Sequence, residues 1–503
     1  MDLRHPVRRR FPDKESLIAL VIILVAVILR VSALTKQPLW YDELISISIA
    51  TYEGGLAAIW NTRFYPHPPL FVSLLHLLLQ GFAPSEYTAR MLPLFSSILA
   101  FPLFYRYVAG VLNRRVALFG IFLLAISPYH IYYSQEARPY SLMFTMVVLA
   151  LWVLHRALKT NRSGWWVAHA VCILLLLYLH FFCWLFVGGE ILYLLLRWRK
   201  HRRSLVPYAL SLLVVPLAIP PLLHLVRDSR SAGQVLVLNA GPNSISLLST
   251  WMTLATGETR YVGQALRLVV GLAFGLLAFL GGVRLCRYKP EIVTLVFSML
   301  AVPLVFVFAF LPLMGYTVPP YEERQFAMVL PFVLILVASG LEYLRSRMPK
   351  LASTGVLAAV LALLLAGNSV ALASYYTTFE KNFDVHVLEY LESRVQEGDI
   401  VVLNSPSISM NVQYHWRGDT PLDFVSWPLY QEGEWWFSRE LLNLPEEPFE
   451  WTITLEEVLF SPRVWLVTQD GFGSSQLTNH ILEGLPPSSA DEIGPFSILL
   501  FVP

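Results

Sequence analysis

Apolar runs close to the roughly 20 residues that cross a bilayer as a helix recur from Ser16 to about Tyr375 and then stop. With 56% hydrophobic and only 14% charged residues, such a chain lacks the polar surface of a water-soluble globule and must take lipid as its main solvent. Beyond that point a tail of about 130 residues has ordinary globular composition, enough to bury a core of its own. The formal net charge of +2 conceals an asymmetry. Met1 to Ser374 carries about 32 Lys and Arg against about 15 Asp and Glu, and the tail about 5 against about 20.

Hydropathy predicts eleven spans, near 16–34, 88–109, 116–134, 139–157, 165–180, 181–197, 204–226, 264–285, 291–313, 326–344 and 351–374. With the Arg-rich N-terminus in the cytoplasm, the connections at 113–115, 156–162, 197–203, 284–289 and 345–350 all fall inside, and all are basic. Short basic clusters between apolar runs are positive-inside loops and not a nucleic-acid surface, so no nucleic-acid partner is expected. The apolar run Pro68 to Phe82 is short for a span, and counting it would invert every later loop. It is therefore expected as a juxtamembrane or re-entrant helix on the outer side. The N-terminus resembles a signal peptide, with Arg8, Arg9 and Arg10 before Leu17 to Leu29, but the many spans that follow favour a first membrane helix. Cys172, Cys183 and Cys286 have no metal-ligand spacing and read as packing residues.

The expected fold is a polytopic α-helical membrane protein of about eleven transmembrane helices over residues 1–374, with outer loops at 35–87 and 227–263. Residues 375–503 are expected to form a small extracytoplasmic α/β domain. There Val385 to Val395 has helical spacing, while Ile400 to Leu403, Arg463 to Val467 and Phe496 to Val502 read as strands.

Polar residues gather on the expected outer face, beside helix ends. Directly after the first span comes Trp40-Tyr41-Asp42-Glu43-Leu44, whose adjacent carboxylates beside lipid must be hydrated, paired or used. The plain alternative is a helix cap, with Asp42 and Glu43 favouring a first turn. In Tyr65-Pro66-His67-Pro68-Pro69-Leu70 the prolines hold His67 at the water boundary, where an imidazole binds phosphate, metal or a hydroxyl, or only anchors the chain. The third cluster, Ser127 to Tyr140, contains Tyr133-Ser134-Gln135-Glu136-Ala137-Arg138-Pro139-Tyr140 and joins two spans by a tight turn, so Glu136 and Arg138 must sit over the bundle. Its alternative is a structural Glu136–Arg138 ion pair within an aromatic belt. His180, at another tight turn, and Glu322-Glu323-Arg324 are lesser candidates. Glu190, in mid-span, should face the bundle interior. Arg30 is expected to snorkel outward, and Glu86 with Arg90 to form an i,i+4 pair.

At these residues the sequence resembles the superfamily C (GT-C) glycosyltransferases, in particular the dolichyl-phosphate-mannose protein mannosyltransferases and the undecaprenyl-phosphate aminoarabinose transferases. Four landmarks match in order: Trp40-Tyr41-Asp42-Glu43, His67-Pro68-Pro69-Leu70, Ser127-Pro128 to Ser134-Gln135-Glu136-Ala137-Arg138, and Arg324 ahead of Pro331. They cover about the first 345 residues, and the tail matches only in position. The resemblance implies a sugar donor linked to a polyprenyl phosphate, an extracytoplasmic acceptor, and inverting transfer without a covalent intermediate. Asp42 would take the acceptor proton and Glu43 would orient Asp42 or the acceptor. A phosphate leaving group needs cationic stabilisation more than an acid, and the planar fork of Arg138 suits it first, Arg324 second, with His67 beside them. Tyr41, Tyr133, Gln135, Glu136, Tyr140 and His180 would line the substrate pocket. Some relatives hold a divalent cation nearby, to which Glu43, His67, Glu136 and His180 could contribute ligands, although no spacing demonstrates a metal. A transporter or flippase should instead show polar or broken helices near the midplane. A non-enzymatic envelope assembly protein would use the acidic tail as a binding module.

Overall fold

The computed structural model describes residues 13–61, 67–220, 244–257, 263–313, 323–404, 406–416, 423–426, 463–469 and 486–502. In hydrocarbon every backbone polar group must be met within its own segment, so apolar runs fold as helices. All eleven expected spans contain helix, but by length and composition six are fit to cross a bilayer: Glu86–Val111, Tyr140–Thr160, Gln264–Tyr288, Pro290–Phe310, Glu323–Arg347 and Leu351–Thr377. Arg114–Ala125 with Pro128–Ser134 makes a seventh if the pair, bent by 63°, is one span. The other four coincide with Lys14–Val31, which carries charges at both ends, and with the shorter helices Ser163–Leu179, Cys183–Leu196 and Leu205–Ala218. The run Pro68 to Phe82 forms a helix of 10 residues, Leu70–Leu79, too short to span.

The N-terminal part runs α1 (Lys14–Val31), α2 (Tyr41–Ala50), α3 (Gly55–Asn61), α4 (Leu70–Leu79), α5 (Glu86–Val111), α6 (Arg114–Ala125), α7 (Pro128–Ser134), α8 (Tyr140–Thr160), α9 (Ser163–Leu179) and α10 (Cys183–Leu196). Side chains set several starts: Asp13, Ser85, Asn113 and Ser127 each accept a backbone N–H of the first turn that follows. The break between α6 and α7 lies at Pro128, which has no N–H to donate to the carbonyl four residues back. Arg30 meets the carbonyls released there, donating to Leu124 O at 2.9 Å and Ala125 O at 3.3 Å, and also to His130 Nδ1 at 2.9 Å. The expectation that Arg30 snorkels outward is thereby overturned: it is fully buried, because the broken helix beside it offers acceptors nearer than water.

Helices Gln264–Tyr288 and Leu330–Arg347 meet backbone to backbone. A Cβ on Gly340 would lie 2.0 Å from Leu277 O, and one on Gly281 would lie 1.9 Å from Leu336 O. Close approach through small residues replaces the hydrophobic driving force that lipid cannot supply. Gly340→Val should therefore destabilise the protein in detergent by at least the about 1–3 kcal/mol of ordinary overpacking, read as a lower melting temperature. An unchanged melting temperature would show that the two helices can separate freely.

In the tail, β1 (Ile400–Asn404), β2 (Asp423–Ser426), β3 (Val464–Gln469), β4 (Ser489–Ile493) and β5 (Phe496–Phe501) form one sheet in the order β2-β1-β3-β5-β4. β1 is parallel to β2 and β3, while β5 runs antiparallel to β3 and β4. The helix Asp384–Glu392 covers it through Val387, Leu388 and Leu391, against Val401, Leu403, Trp465, Val467 and Ile498. Three strands were legible as β-branched runs. β4 was not: Ser-Ala-Asp-Glu-Ile is polar and exposed, and is a strand because the turn at Gly494, at φ +60, folds it back onto β5. Pro445 to Pro448 and much of the expected outer segment 227–263 lie outside the described residues, which include the helix Ser244–Thr256.

The tail is tied to the segment between α1 and α2. Asn382 Nδ2 donates to Leu39 O at 2.7 Å and His415 Nε2 to the same oxygen at 3.1 Å. Gln37 exchanges hydrogen bonds with Phe379 O and the Lys381 amide, at 2.6 and 3.0 Å.

Candidate active site

The extended backbone at Trp40 starts α2, so Asp42 and Glu43 occupy its first turn, where carboxylates are electrostatically favoured. Successive residues on a helix point about 100° apart, and the two acids therefore face different partners. The Asp42 carboxylate contacts the Arg324 guanidinium and lies 3.6 Å from Arg138 Nη2. Glu43 is fully buried and receives Arg90 bidentately, Nε and Nη2 each at 2.8 Å, with the Ala137 amide at 2.7 Å and Lys381 Nζ at 3.3 Å. Two linked groups result: Arg138–Asp42–Arg324, and Arg90–Glu43–Lys381–Glu136.

The turn after α7 supplies the facing wall. Glu136 Oε1 accepts from Trp40 Nε1 at 3.2 Å and lies 3.7 Å from Lys381 Nζ. Arg138 donates through Nη2 to His67 Nε2 at 2.7 Å, and through Nη1 to Asp42 O and Ser46 Oγ, each at 3.4 Å. Because a guanidinium only donates, His67 Nε2 must be an unprotonated acceptor. The structural alternative of a Glu136–Arg138 pair gives way to these other partners. Gln135 has both ends of its side chain engaged: it donates to Arg30 O and Ser32 O, at 2.7 and 2.8 Å, and accepts from Tyr375 OH at 2.8 Å. Tyr133 and Tyr140 meet edge to face with ring centres 5.0 Å apart, and the centre of the His180 ring lies 5.7 Å from that of Tyr140 and 5.2 Å from that of His67. Arg324 stands over the Trp40 and Tyr140 rings, 5.7 and 5.8 Å from their centres. Tyr41 opens α2 half-buried.

Burial alone would raise all three carboxyls. The Arg324 and Arg138 guanidiniums outweigh it at Asp42, which falls below the ordinary carboxylate range. Arg90 and Lys381 outweigh it at Glu43, which falls to about 2. At Glu136 burial wins over Lys381 and the carboxyl is raised. Burial and the neighbouring Arg138 hold His67 well below its usual range and bring His180 down to about 3, so both are neutral near pH 7. Burial also lowers Lys381, against the pull of Glu136 and Glu43.

One correction follows. Arg90 does not pair with Glu86 along α5, because the buried Glu43 gives it two short charge-assisted bonds that the half-buried Glu86 cannot match. Glu43 has both oxygens engaged by Arg90, so its geometry is that of a brace between α2 and α5. Cationic side chains stand against the carboxylates of both Glu43 and Glu136, and among the described residues no three of His, Cys, Asp or Glu are arranged to hold a metal ion. Glu190 faces inward as expected, held by His169 at 3.1 Å and Tyr208 OH at 3.3 Å. Sequence reading missed Lys381. Its one signal was a lysine placed just after the last apolar run on the expected outer side, where positive charge is scarce.

Residues 66–224 match the family model described as dolichyl-phosphate-mannose-protein mannosyltransferase. The structure is similar to that of ArnT from Cupriavidus metallidurans in the apo state, with a TM-score of 0.57 at 12% identity over 96% of this chain and 97% of that one. The same ArnT bound to undecaprenyl phosphate gives a TM-score of 0.56 at 12% identity, with the same coverage. The apo oligosaccharyltransferase of Archaeoglobus fulgidus gives 0.51 at 10% identity, over 91% of this chain and 69% of that one. No curated protein matches the chain in sequence. Over residues 66–224 the chain resembles the protein mannosyltransferase family, and its fold as a whole is similar to that of ArnT, a fold of the superfamily C (GT-C) type.

Proposed function

We propose that this protein is a membrane glycosyltransferase that moves a sugar from a polyprenyl-phosphate donor to a hydroxyl-bearing acceptor on the outer side of the membrane. The N-terminus would be cytoplasmic, residues 1–374 would carry the chemistry and 375–503 would be an extracytoplasmic domain. The observation that carries this reading is Asp42 held beside two guanidiniums at the edge of apolar helices. In the two linked groups, four cations face three carboxylates, an excess suited to a phosphate. The bond from the anomeric carbon to the phosphate oxygen breaks as the acceptor oxygen attacks, and the acceptor proton passes to Asp42. Negative charge on the departing polyprenyl phosphate grows, and Arg138 and Arg324 are the groups able to meet it. While both hold Asp42, its proton affinity is low; a donor phosphate that draws them away would restore its basicity. His67 would hold the Arg138 fork in place without touching phosphate.

The polar network of Glu190, His169, Tyr208 and Ser211 does not favour a transporter, since its members bond to one another inside the bundle. Purified protein supplied with a panel of labelled polyprenyl-phosphate sugars should release sugar slowly to water from one of them, and no release from any would count against the reading. With the active donor, turnover should decline from wild type to Arg138→Lys to Arg138→Ala, by roughly 10²-fold or more for Ala, as for loss of one oxyanion donor. Equal activity of the three would remove Arg138 from the phosphate site.

A further inference from the structure

One carboxylate oxygen of the site has no hydrogen-bond partner among the described residues. Glu136 is 1% exposed, and while its Oε1 faces Trp40 and Lys381, its Oε2 is buried and unmatched. A buried acceptor without a donor is costly, and substrate hydroxyls are donors of the right kind. Lys381 stands between Glu43 and Glu136, 3.3 and 3.7 Å from their oxygens, with its ammonium 5.2 Å from the Trp40 ring centre and 5.0 Å from that of Tyr132. Without this cation two buried carboxylates would adjoin, and one would take a proton. The position of Lys381 is not set by the apolar bundle alone. Its amide is held by Gln37, and the next residue, Asn382, bonds both to Leu39 O and, at 2.7 Å, to Asn411 of the tail helix Pro406–His415.

We propose that Glu136 Oε2 accepts a hydroxyl of the substrate, and that Lys381, brought in by the docked C-terminal segment, is the positioning residue that keeps this carboxylate ionised and aimed. The inference rests on the glycosyltransferase reading above. It gives the tail a part in the reaction: its docking on Leu39 completes the substrate pocket. A hydroxyl can come from the donor sugar or from the acceptor, and the two sources separate by assay. If the sugar supplies it, Glu136→Gln slows donor hydrolysis by water as well as transfer; if the acceptor supplies it, only transfer is slowed.

The test compares full-length wild type with Glu136→Gln, Lys381→Met, Lys381→Arg and the Glu136→Gln/Lys381→Met double variant, each checked for folding by its melting temperature. Glu136→Gln and Lys381→Met should each lower kcat/KM by roughly tenfold or more, in the range of a lost hydrogen bond to a charged group. The double variant should be no worse than the worse single one, because Lys381 acts through Glu136. Lys381→Arg should recover most of the loss. Folded Lys381→Met with wild-type kcat/KM overturns the proposal, as do losses that multiply in the double variant or an Arg variant as impaired as Met. Should Lys381→Met not fold, Glu136→Gln and Lys381→Arg still decide, since normal kcat/KM in the first or a Met-like defect in the second, folded, refutes it. Wild type without turnover on any donor instead sinks the glycosyltransferase reading, and this inference with it.

Discussion

Asp42→Asn should reduce sugar transfer by at least about 10²-fold, the lower end for loss of a general base, with the abundance of folded protein unchanged. Asparagine keeps the shape of the side chain but cannot take the acceptor proton. The geometry makes the expectation sharper, because Asp42 shares Arg324 and Arg138 with the phosphate that the donor would bring. Removing its charge removes a competitor for those guanidiniums. The loss should therefore appear in kcat while the donor KM stays level or falls, a combination that marks an interaction needed in the transition state and not in the ground state. Near-normal transfer by this variant would move the base elsewhere. Glu136 would then be the next carboxylate to test, since Arg90 occupies both oxygens of Glu43.

The largest effect on stability is expected at Glu43. Glu43→Ala leaves the Arg90 charge buried with only the carbonyls of Leu34, Gln37 and Pro38, and breaking a buried pair from one side costs about 3–5 kcal/mol. Glu43→Ala/Arg90→Met should recover much of that, because the orphaned charge leaves with its mate. The same pair predicts a pH dependence. The Glu43 carboxyl, lowered from 4.5 to about 2 in the folded protein, contributes stability that is full above about pH 4.5 and is lost as pH falls toward 2. Melting curves in detergent at stepwise lower pH should fall through this window for wild type, and Glu43→Gln should lack that part of the decline. A Glu43→Ala variant melting within a degree or two of wild type would mean that Arg90 is not sealed from water.

Two residues that look alike in sequence thus receive different work. Asp42 and Glu43 are adjacent carboxylates after one apolar run, and both were read together as site residues on that ground. The helical rotation between them turns one toward Arg138 and Arg324 and the other toward Arg90. Nothing local separates them, since the cations that decide their roles lie 47 residues away for Arg90 and 282 for Arg324. Arg90 shows the reverse error. Its near neighbour Glu86 offered an i,i+4 pair of the kind worth a few tenths of a kcal/mol on an isolated helix, and a buried bidentate partner outweighs it.

The sequence alone determined that this chain lives in lipid, where its helices run, and which clusters crowd their ends. Those features depend on solvent preference and on turns of a few residues, and both are written locally. Lipid forbids unpaired backbone, so a long apolar run has little choice but helix, and Ser127-Pro128 must end one and begin another. Only the tertiary structure decided the pairings: Arg30 turned inward to the broken α6–α7 backbone, Arg90 locked to Glu43, and Lys381 brought from beyond the last apolar helix into a site that begins at Trp40. A buried charge takes the partner that packing brings nearest, and distance along the chain says nothing about which that is.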